Sequence, residues 1–218
     1  MNKDALKTAK RILPLYKEYL DPWTEEASKI ASCKRGCNSC CSMLIGATLS
    51  EGANIAAHLL ESPAWIPEIR KLRDRLQEDT NEIRAISQNK QHKWLASKKG
   101  CAFLDQKSGD CRIYNFRPTA CRTYFVTSDP GLCSPDKPGA QVLIVNPQQA
   151  VTPFIHALLG ETASTIPPLT GSLQSMVLAG MELILNSSSK FQKWLQTHPT
   201  DDMRVQSPVF KTESQEVP

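Results

Sequence analysis

The chain has 218 residues, of which 40% are hydrophobic and eight are cysteine, and its net charge is +4. A chain of this length can bury one sizeable core, so we expect a single domain. It lacks an apolar run of about 20 residues and the uncharged stretch of a secretory signal, which predicts a cytoplasmic protein without a membrane span. The basic residues are spread along the sequence, which argues against nucleic acid as a partner.

Three segments in the first part of the chain show the spacing of helices. Residues 4 to 20 carry apolar side chains three to four positions apart, interrupted by Pro14. Thr48 and Glu51 form a capping-box pattern, which predicts a helix from that point. The strongest helical signal runs from about residue 67 to 88, where an apolar stripe lies among charged residues.

The second part of the chain contains shorter motifs. Between Cys101 and Tyr114, the sequences CAFLD and DCRIY flank a turn-like QKSG, which predicts a short β-hairpin. Arg117 and Pro118 suit the start of a helix, and the residues from 126 to 140, rich in proline and glycine, are expected to form a loop. Three later segments are expected to be a short apolar run and two helices, at 142 to 145, 149 to 159 and 172 to 186.

Four cysteines within nine residues are the densest chemical signal in the sequence. The segment CKRGCNSCC holds Cys33, Cys37, Cys40 and Cys41. Such short gaps let a turning backbone direct several thiolates toward one metal ion. Side chains of adjacent residues diverge, so we expect Cys40 and Cys41 to face different centres, or one of them to face the core. Cytoplasmic thiols are kept reduced, so this density favours a metal site over a disulfide framework.

A second set of cysteines lies farther along the chain, at Cys101, Cys111, Cys121 and Cys133. Together the eight thiolates could hold two zinc ions, one [4Fe-4S] cluster with a second site, or one cluster with spare redox thiols. A metal–thiolate centre carries negative charge and needs compensating donors. Five cationic residues beside the cysteines could provide that compensation: Lys34, Arg35, Arg112, Arg117 and Arg122.

The cysteine pattern resembles that of a known family. The segments CKRGCNSCC, CAFLD and GDCRIYNFRPTACRTY, followed by Cys133, are similar to the YkgJ-like cysteine-cluster proteins, a family of zinc- or iron-chelating domains. The resemblance covers about residues 33 to 133 and implies metal chelation through these cysteines. The family usually has two residues between its first two cysteines, whereas three separate Cys33 from Cys37 in this chain.

Three functions are compatible with this resemblance. Our principal prediction is a metalloprotein that chelates iron as an iron-sulfur centre, for redox chemistry or for modification of a protein or small molecule. The second is a zinc-stabilised binding module without catalysis, whose helices recognise a partner. The third is a metal-dependent, methyltransferase-like activity, by analogy with the flagellin lysine methylases, which the resemblance includes among the family's relatives.

One further enzyme class shares part of the cysteine spacing. Radical S-adenosylmethionine enzymes also separate three cysteines by three and two residues, as Cys33, Cys37 and Cys40 are separated here. That class usually has an aromatic residue just before the third cysteine, where this chain has Ser39, and its barrel requires alternating strands and helices that the pattern does not predict. The four histidines are widely separated and follow no paired-ligand pattern.

We predict an α-rich fold in which helices wrap an irregular, cysteine-ligated metal core with a short β-hairpin. One metal-binding domain is expected over residues 1 to 200, with the cysteine-cluster core at 33 to 133. Flanking helices are expected at 1 to 32 and 140 to 200, and residues 201 to 218 are expected to form a flexible tail.

The expected ligand set has two halves. The first half is Cys33, Cys37 and either Cys40 or Cys41. The second half is Cys101, Cys111, Cys121 and Cys133. The expected partners are the metal ion or cluster itself and a protein partner or substrate.

Overall fold

A computed structural model of the protein describes residues 1–86, 100–133, 139–144 and 169–198. Within these ranges the fold is α-rich, as predicted, with two pairs of short antiparallel strands. The helices are α1 (Lys3–Ala9), α2 (Ile12–Leu15), α3 (Asp21–Ile30), α4 (Leu49–Glu61), α5 (Ile69–Ala85), α6 (Thr119–Arg122), α7 (Leu173–Leu185) and α8 (Ser188–Thr197). The strands are β1 (Gly46–Thr48), β2 (Tyr124–Val126), β3 (Val142–Ile144) and β4 (Thr170–Ser172).

The N-terminal helical segment is divided into several pieces. Helix α2 has only four residues and contains Pro14, which has no backbone N–H to donate within a helix. A π-helical turn, Tyr16–Leu20, then leads directly into α3. The helix predicted over residues 4 to 20 is therefore present as three consecutive pieces, and these place the fully buried Tyr16 against the rest of the molecule.

Helix α4 begins at the predicted capping box. The Thr48 hydroxyl accepts a hydrogen bond from the Glu51 backbone N–H at 3.2 Å, and the Glu51 carboxylate accepts one from the Thr48 backbone N–H at 2.7 Å. Two of the N–H groups that a helix start leaves without partners are satisfied in this way.

Helices α4 and α7 form the centre of the fold and bury nearly all their residues. Glycines lie where the two helices touch. A Cβ on Gly180 would lie 2.6 Å from the Ala53 backbone, and one on Gly52 would lie 2.0 Å from the Met176 carbonyl oxygen. The backbones therefore approach this closely only because both positions lack a side chain.

Two further helices pack against α7. The Arg73 side chain of α5 donates through Nε to Glu182 Oε1 of α7 at 3.0 Å, and α8 inserts its fully buried Phe191 into the core. The helices predicted at 67 to 88 and 172 to 186 are thus confirmed as α5 and α7, except that residues 87 and 88 lie outside the described residues. The helix expected at 149 to 159 and the tail expected at 201 to 218 also lie outside them.

The strands pair over long sequence distances. Strand β1 pairs with β4, with Gly46 opposite Ser172, and β2 pairs with β3, with Tyr124 opposite Ile144. The β1–β4 pair delivers the chain into the first turn of both central helices, since α4 follows β1 directly and α7 follows β4.

The predicted hairpin after Cys101 is present as a tight turn with one bridge between Leu104 and Cys111. The Asp105 N–H donates to the Asp110 carbonyl at 2.9 Å, and the Asp105 side chain accepts from the Lys107 N–H at 2.8 Å. None of the helices in the described ranges has the length and apolar character that a membrane span requires.

Candidate metal centre

The two cysteine groups lie side by side in the structure. The backbone N–H of Cys101 donates to the carbonyl of Cys41 at 2.9 Å, which joins the hairpin to the first cysteine segment. On the other side, the Ser32 N–H donates to the Val126 carbonyl at 2.7 Å, and the Ser32 hydroxyl donates to Thr127. These bonds bring segments about 60 to 95 positions apart into contact around the thiols.

Six of the eight predicted cysteines line one cavity of about 280 Å³. They are Cys37, Cys40, Cys41, Cys101, Cys111 and Cys121. Liquid water takes about 30 Å³ per molecule, so the cavity is several times larger than the space that one water occupies. Cysteines of both predicted halves therefore line a common space with room for more than a single ion.

Cys101, Cys111 and Cys121 form one group at this cavity. Burial, with smaller contributions from the neighbouring Cys111 and Cys40 thiols, raises the pKa of the Cys101 thiol to about 12. Burial also raises the pKa of Cys121 well above its usual value, and Cys40, Cys101 and Cys111 add to that shift. Without a metal these thiols stay protonated, and a bound cation would have to displace their protons.

Cys133 belongs with Cys33 and Cys37 in the structure. Cys133 is buried in a small apolar cluster beside Cys33, and burial, followed by the Cys33, Cys40 and Cys37 thiols, raises its pKa to about 11. The expected division placed Cys133 in the second half of the ligand set, whereas in the structure it lies beside Cys33 of the first half. The physical reason is β2, because its bond to Ser32 turns the following loop back toward the first cysteine segment.

Cys40 lies between the two groups. Its pKa is raised first by a hydrogen bond with the Cys41 side chain and then by burial. A negative charge on Cys40 would raise the pKa of Cys33 and Cys133 as well as that of Cys121. The 3₁₀ turn Ser39–Ser42 places both Cys40 and Cys41 along the wall of the same cavity. That the two side chains face different centres stays a prediction.

The thiols line the cavity without closing on a point. Across residues 1–86, 100–133, 139–144 and 169–198, no three histidine, cysteine, aspartate or glutamate side chains stand close enough together to hold a metal ion as they are. Bound metal would therefore require the cysteine side chains to rotate inward. The donor set itself is all sulfur, which is the chemistry that zinc and iron–sulfur centres use.

Comparison with known proteins identifies the domain. Residues 32–138 match the model of the CxxCxxCC family, described as a putative zinc- or iron-chelating domain. Residues 32–138, just under half of the chain, therefore form a domain similar to that of this family. All eight cysteines of the CxxCxxCC domain lie inside the matched segment, and metal chelation by its cysteine cluster agrees with the sequence prediction. No curated protein and no solved structure matches the chain.

Two of the five predicted cations line the cavity of the CxxCxxCC domain. The Arg117 guanidinium lies 3.8 Å from the centroid of the Tyr114 ring and donates to the Tyr114 carbonyl, and its charge acts to lower the pKa of Cys111 and Cys121. Arg35 approaches the same ring at 5.3 Å. Both can therefore offset negative charge on a metal–thiolate centre.

The other three predicted cations have different partners. Arg112 pairs with Glu68 at 2.9 Å, Arg122 pairs with Asp21 at 3.0 Å, and Lys34 donates to a backbone carbonyl. These three side chains are engaged by those partners and do not line the cavity. Of the five cations that lie beside a cysteine in the sequence, Arg35 and Arg117 are therefore the two that line the cavity.

Glu51 is a residue of the site region whose contacts sequence reasoning missed. Its side chain is 4% exposed. Besides capping α4, it accepts hydrogen bonds from the Tyr16 hydroxyl at 2.8 Å and from the Thr119 N–H at 2.7 Å, two positions before Cys121. The capping pattern with Thr48 was visible in the sequence, but these partners lie 35 and 68 positions away and leave no local signal.

Proposed function

We propose that the CxxCxxCC domain holds an iron–sulfur cluster in the cysteine-lined cavity, for redox chemistry or for modification of a protein or small-molecule substrate. The observation that carries the proposal is the single cavity of about 280 Å³ lined by six cysteines from two parts of the chain. A lone zinc ion held by four thiolates needs no such volume, because its ligands meet it at about 2.3 Å. A cluster of several iron and sulfide atoms fits the space better.

The ligands would come from both cysteine groups. Cys101, Cys111 and Cys121 supply three thiolates at the cavity, and Cys40 or Cys41 supplies the fourth. Cys33, Cys37 and Cys133 remain as a neighbouring group for a second centre or for redox chemistry. A cluster supplies one-electron chemistry when it is bound, and the burial of its ligands and the charge of Arg117 would tune its potential.

A zinc-stabilised binding module is the second candidate, and one observation favours it. Cys40 stands between a group formed by Cys33, Cys37 and Cys133 and the group at the cavity, and Cys41 lines the cavity, so the eight thiols can be divided into two sets of four. Two closed zinc sites of that kind stabilise segments with little regular structure. The hairpin and loops between residues 100 and 133 are such a segment.

We also infer that the flanking helices and the cysteine core form one domain in a reducing compartment. The Asn2 backbone N–H donates to the Ile184 carbonyl of α7 at 2.6 Å, which ties the start of the chain to the central helix. All eight cysteines of the chain are free, a state typical of the cytoplasm.

Metal analysis decides between the two candidates. Protein purified without oxygen is expected to be brown, to absorb light broadly above the protein band, and to contain iron and acid-labile sulfide. A colourless protein that contains zinc and lacks sulfide would overturn the iron–sulfur proposal in favour of the zinc module.

Serine substitutions test the proposed ligands one at a time. Replacing Cys101 or Cys121 by serine is expected to abolish metal content and to lower the thermal stability at the same time, because a hydroxyl is a poor replacement for a thiolate ligand. Metal content is measured by elemental analysis and stability by a thermal melt. Ser42→Ala, in the same turn as Cys40 and Cys41, is the control and should keep its metal. Full metal retention after Cys101→Ser or Cys121→Ser would remove that cysteine from the ligand set.

A further inference from the structure

We infer that Glu51 is a positioning residue for Cys121 and that Tyr16 supports it in this role. The inference rests on the proposed function, in which Cys121 is a metal ligand. It assigns to a buried carboxylate on α4 the placement of a thiol that is 70 positions away in sequence.

The two carboxylate oxygens of Glu51 serve different elements. Oε2 accepts from the Thr48 N–H at 2.7 Å and completes the cap of α4. Oε1 accepts from the Thr119 N–H at 2.7 Å and from the Tyr16 hydroxyl at 2.8 Å. The helix cap uses only one oxygen, so the other is available to hold the first residue of α6.

Helix α6 depends on such external contacts. It has four residues, Thr119–Arg122, with Cys121 as the third. A helix this short does not hold its shape alone, and its first N–H groups have no partners within it. Glu51 satisfies the Thr119 N–H from outside the helix, through Oε1 at 2.7 Å.

Tyr16 holds the same network from the N-terminal helical segment. Its hydroxyl donates to Glu51 and lies 3.3 Å from the Thr119 hydroxyl, and its ring lies under the Arg122 guanidinium at 4.6 Å. Arg122 follows Cys121 directly and pairs with Asp21 at 3.0 Å. Residues on both sides of the Cys121 thiol are therefore held by side chains from Tyr16 and Asp21, which lie outside the CxxCxxCC segment.

Glu51→Gln and Tyr16→Phe test the inference against Thr48→Ala as a matched control. Glutamine still suits the capping box, but it has one acceptor oxygen and cannot serve the N–H groups of both Thr48 and Thr119. Tyr16→Phe removes the hydroxyl that donates to Oε1 of Glu51. Thr48→Ala weakens the cap of α4 and leaves the bond between Glu51 and Thr119 intact.

Metal affinity is measured for each variant by competition with a chelator, beside the thermal melt of the same protein. Groups that orient metal ligands typically change metal affinity by about 10-fold to 100-fold when they are replaced. We expect a loss in this range for Glu51→Gln and a smaller one for Tyr16→Phe. Thr48→Ala is expected to melt at a lower temperature with unchanged affinity.

Alkylation of the metal-free protein gives a second, local readout. Iodoacetamide labelling followed by mass spectrometry should show faster modification of Cys121 relative to Cys37 in Glu51→Gln, and an unchanged ratio in Thr48→Ala. Wild-type affinity and labelling in Glu51→Gln would overturn the positioning role. So would a Thr48→Ala variant that loses affinity to the same extent.

The failure of this inference is distinguishable from the failure of the proposed function. Retention of metal in Cys121→Ser would defeat the proposed ligand itself. Loss of metal in Cys121→Ser together with unchanged affinity in Glu51→Gln would leave the metal centre in place and remove only the role of Glu51.

Discussion

Gly180 shows how one absent side chain sets the distance between two helices. Replacing Gly180 by alanine would place a Cβ 2.6 Å from the backbone of Ala53, which cannot yield as a flexible side chain could. We expect the variant to lose about 1–3 kcal/mol or more of unfolding free energy, because overpacking forces the helices apart. Urea denaturation measures the loss. Gly131→Ala is the control, since its new Cβ would meet only the Asp129 side chain at 3.3 Å, and an equal loss there would contradict the explanation.

His58 is expected to make stability depend on pH. Its ring stacks on Phe116 at 3.9 Å, and burial lowers its pKa below the ordinary value of 6.5. The unfolded chain therefore takes up a proton more readily than the folded one, so the free energy of unfolding falls as the pH drops below about 6.5 and is not affected by His58 above it. Urea denaturation at pH values of about 7.5 and 5.5 measures the fall. His58→Phe keeps an aromatic stack and should reduce it, and an identical fall in that variant would show that His58 is not the cause.

At the residue scale, local patterns were predictable and long-range partners were not. The spacing of Thr48 and Glu51 predicted their capping bonds because both partners lie within one helical turn. The bonds from Glu51 to Tyr16 and Thr119 depend on how separate elements pack, and the sequence carries no periodic signal for them. The contact of α4 with α7 at Gly52 and Gly180 was not predictable for the same reason, since nothing in the sequence near either glycine identifies the helix that it touches.

Helix α8 is attached to the molecule by one fully buried aromatic side chain. Phe191 is completely buried, whereas most of the surrounding residues of α8 are partly or fully exposed. Phe191→Ala is expected to cost about 3–5 kcal/mol of unfolding free energy through lost burial and a cavity. Urea denaturation measures the change, with the exposed Lys193→Ala as the control. A loss below about 1 kcal/mol for Phe191→Ala would mean that α8 contributes little to the core.

At the element scale, the helices with a continuous apolar pattern were predicted and the strands were not. The stripe over 67 to 88 and the apolar run near 172 to 186 correspond to α5 and α7. Strands β1 and β4 have three residues each and pair across more than 100 positions, so neither has enough length to show an alternating pattern. Pro14 was visible as an interruption, but the π-helical turn that follows it was not.

Removal of the metal is expected to destabilise the cysteine core and to leave the packed helices folded. The contact between α4 and α7 is built from apolar side chains and does not require a bound metal. Treatment of metal-loaded protein with a chelator should lower the melting temperature, while the far-UV circular dichroism keeps its helical signal. Limited proteolysis should then cut first between residues 100 and 133. Loss of the helical signal together with the metal would show that the two parts fold as one unit.

At the scale of the whole molecule, the sequence indicated the candidate ligands but not which of them lie next to one another in space. All eight cysteines were recognisable from number and density, and the structure gathers them in one region. Cys133 follows Cys121 in the chain, but the β2 connection carries it to Cys33 and Cys37. Grouping of this kind is decided by the path of the backbone, which spacing along the sequence does not describe.

The central position of Cys40 has a thermodynamic consequence. Its thiol interacts with Cys33 and Cys133 on one side and with Cys121 on the other. Metal bound by either group of cysteines alters the charge and the protonation of this shared sulfur. Metal bound by one group therefore changes the affinity of the other group for metal. By thermodynamic reciprocity, metal binding by the second group changes the affinity of the first group by the same factor. A titration of the metal-free protein with metal should therefore give a binding curve that departs from the curve of two independent sites. Replacing Cys40 by serine should give a binding curve closer to that of independent sites.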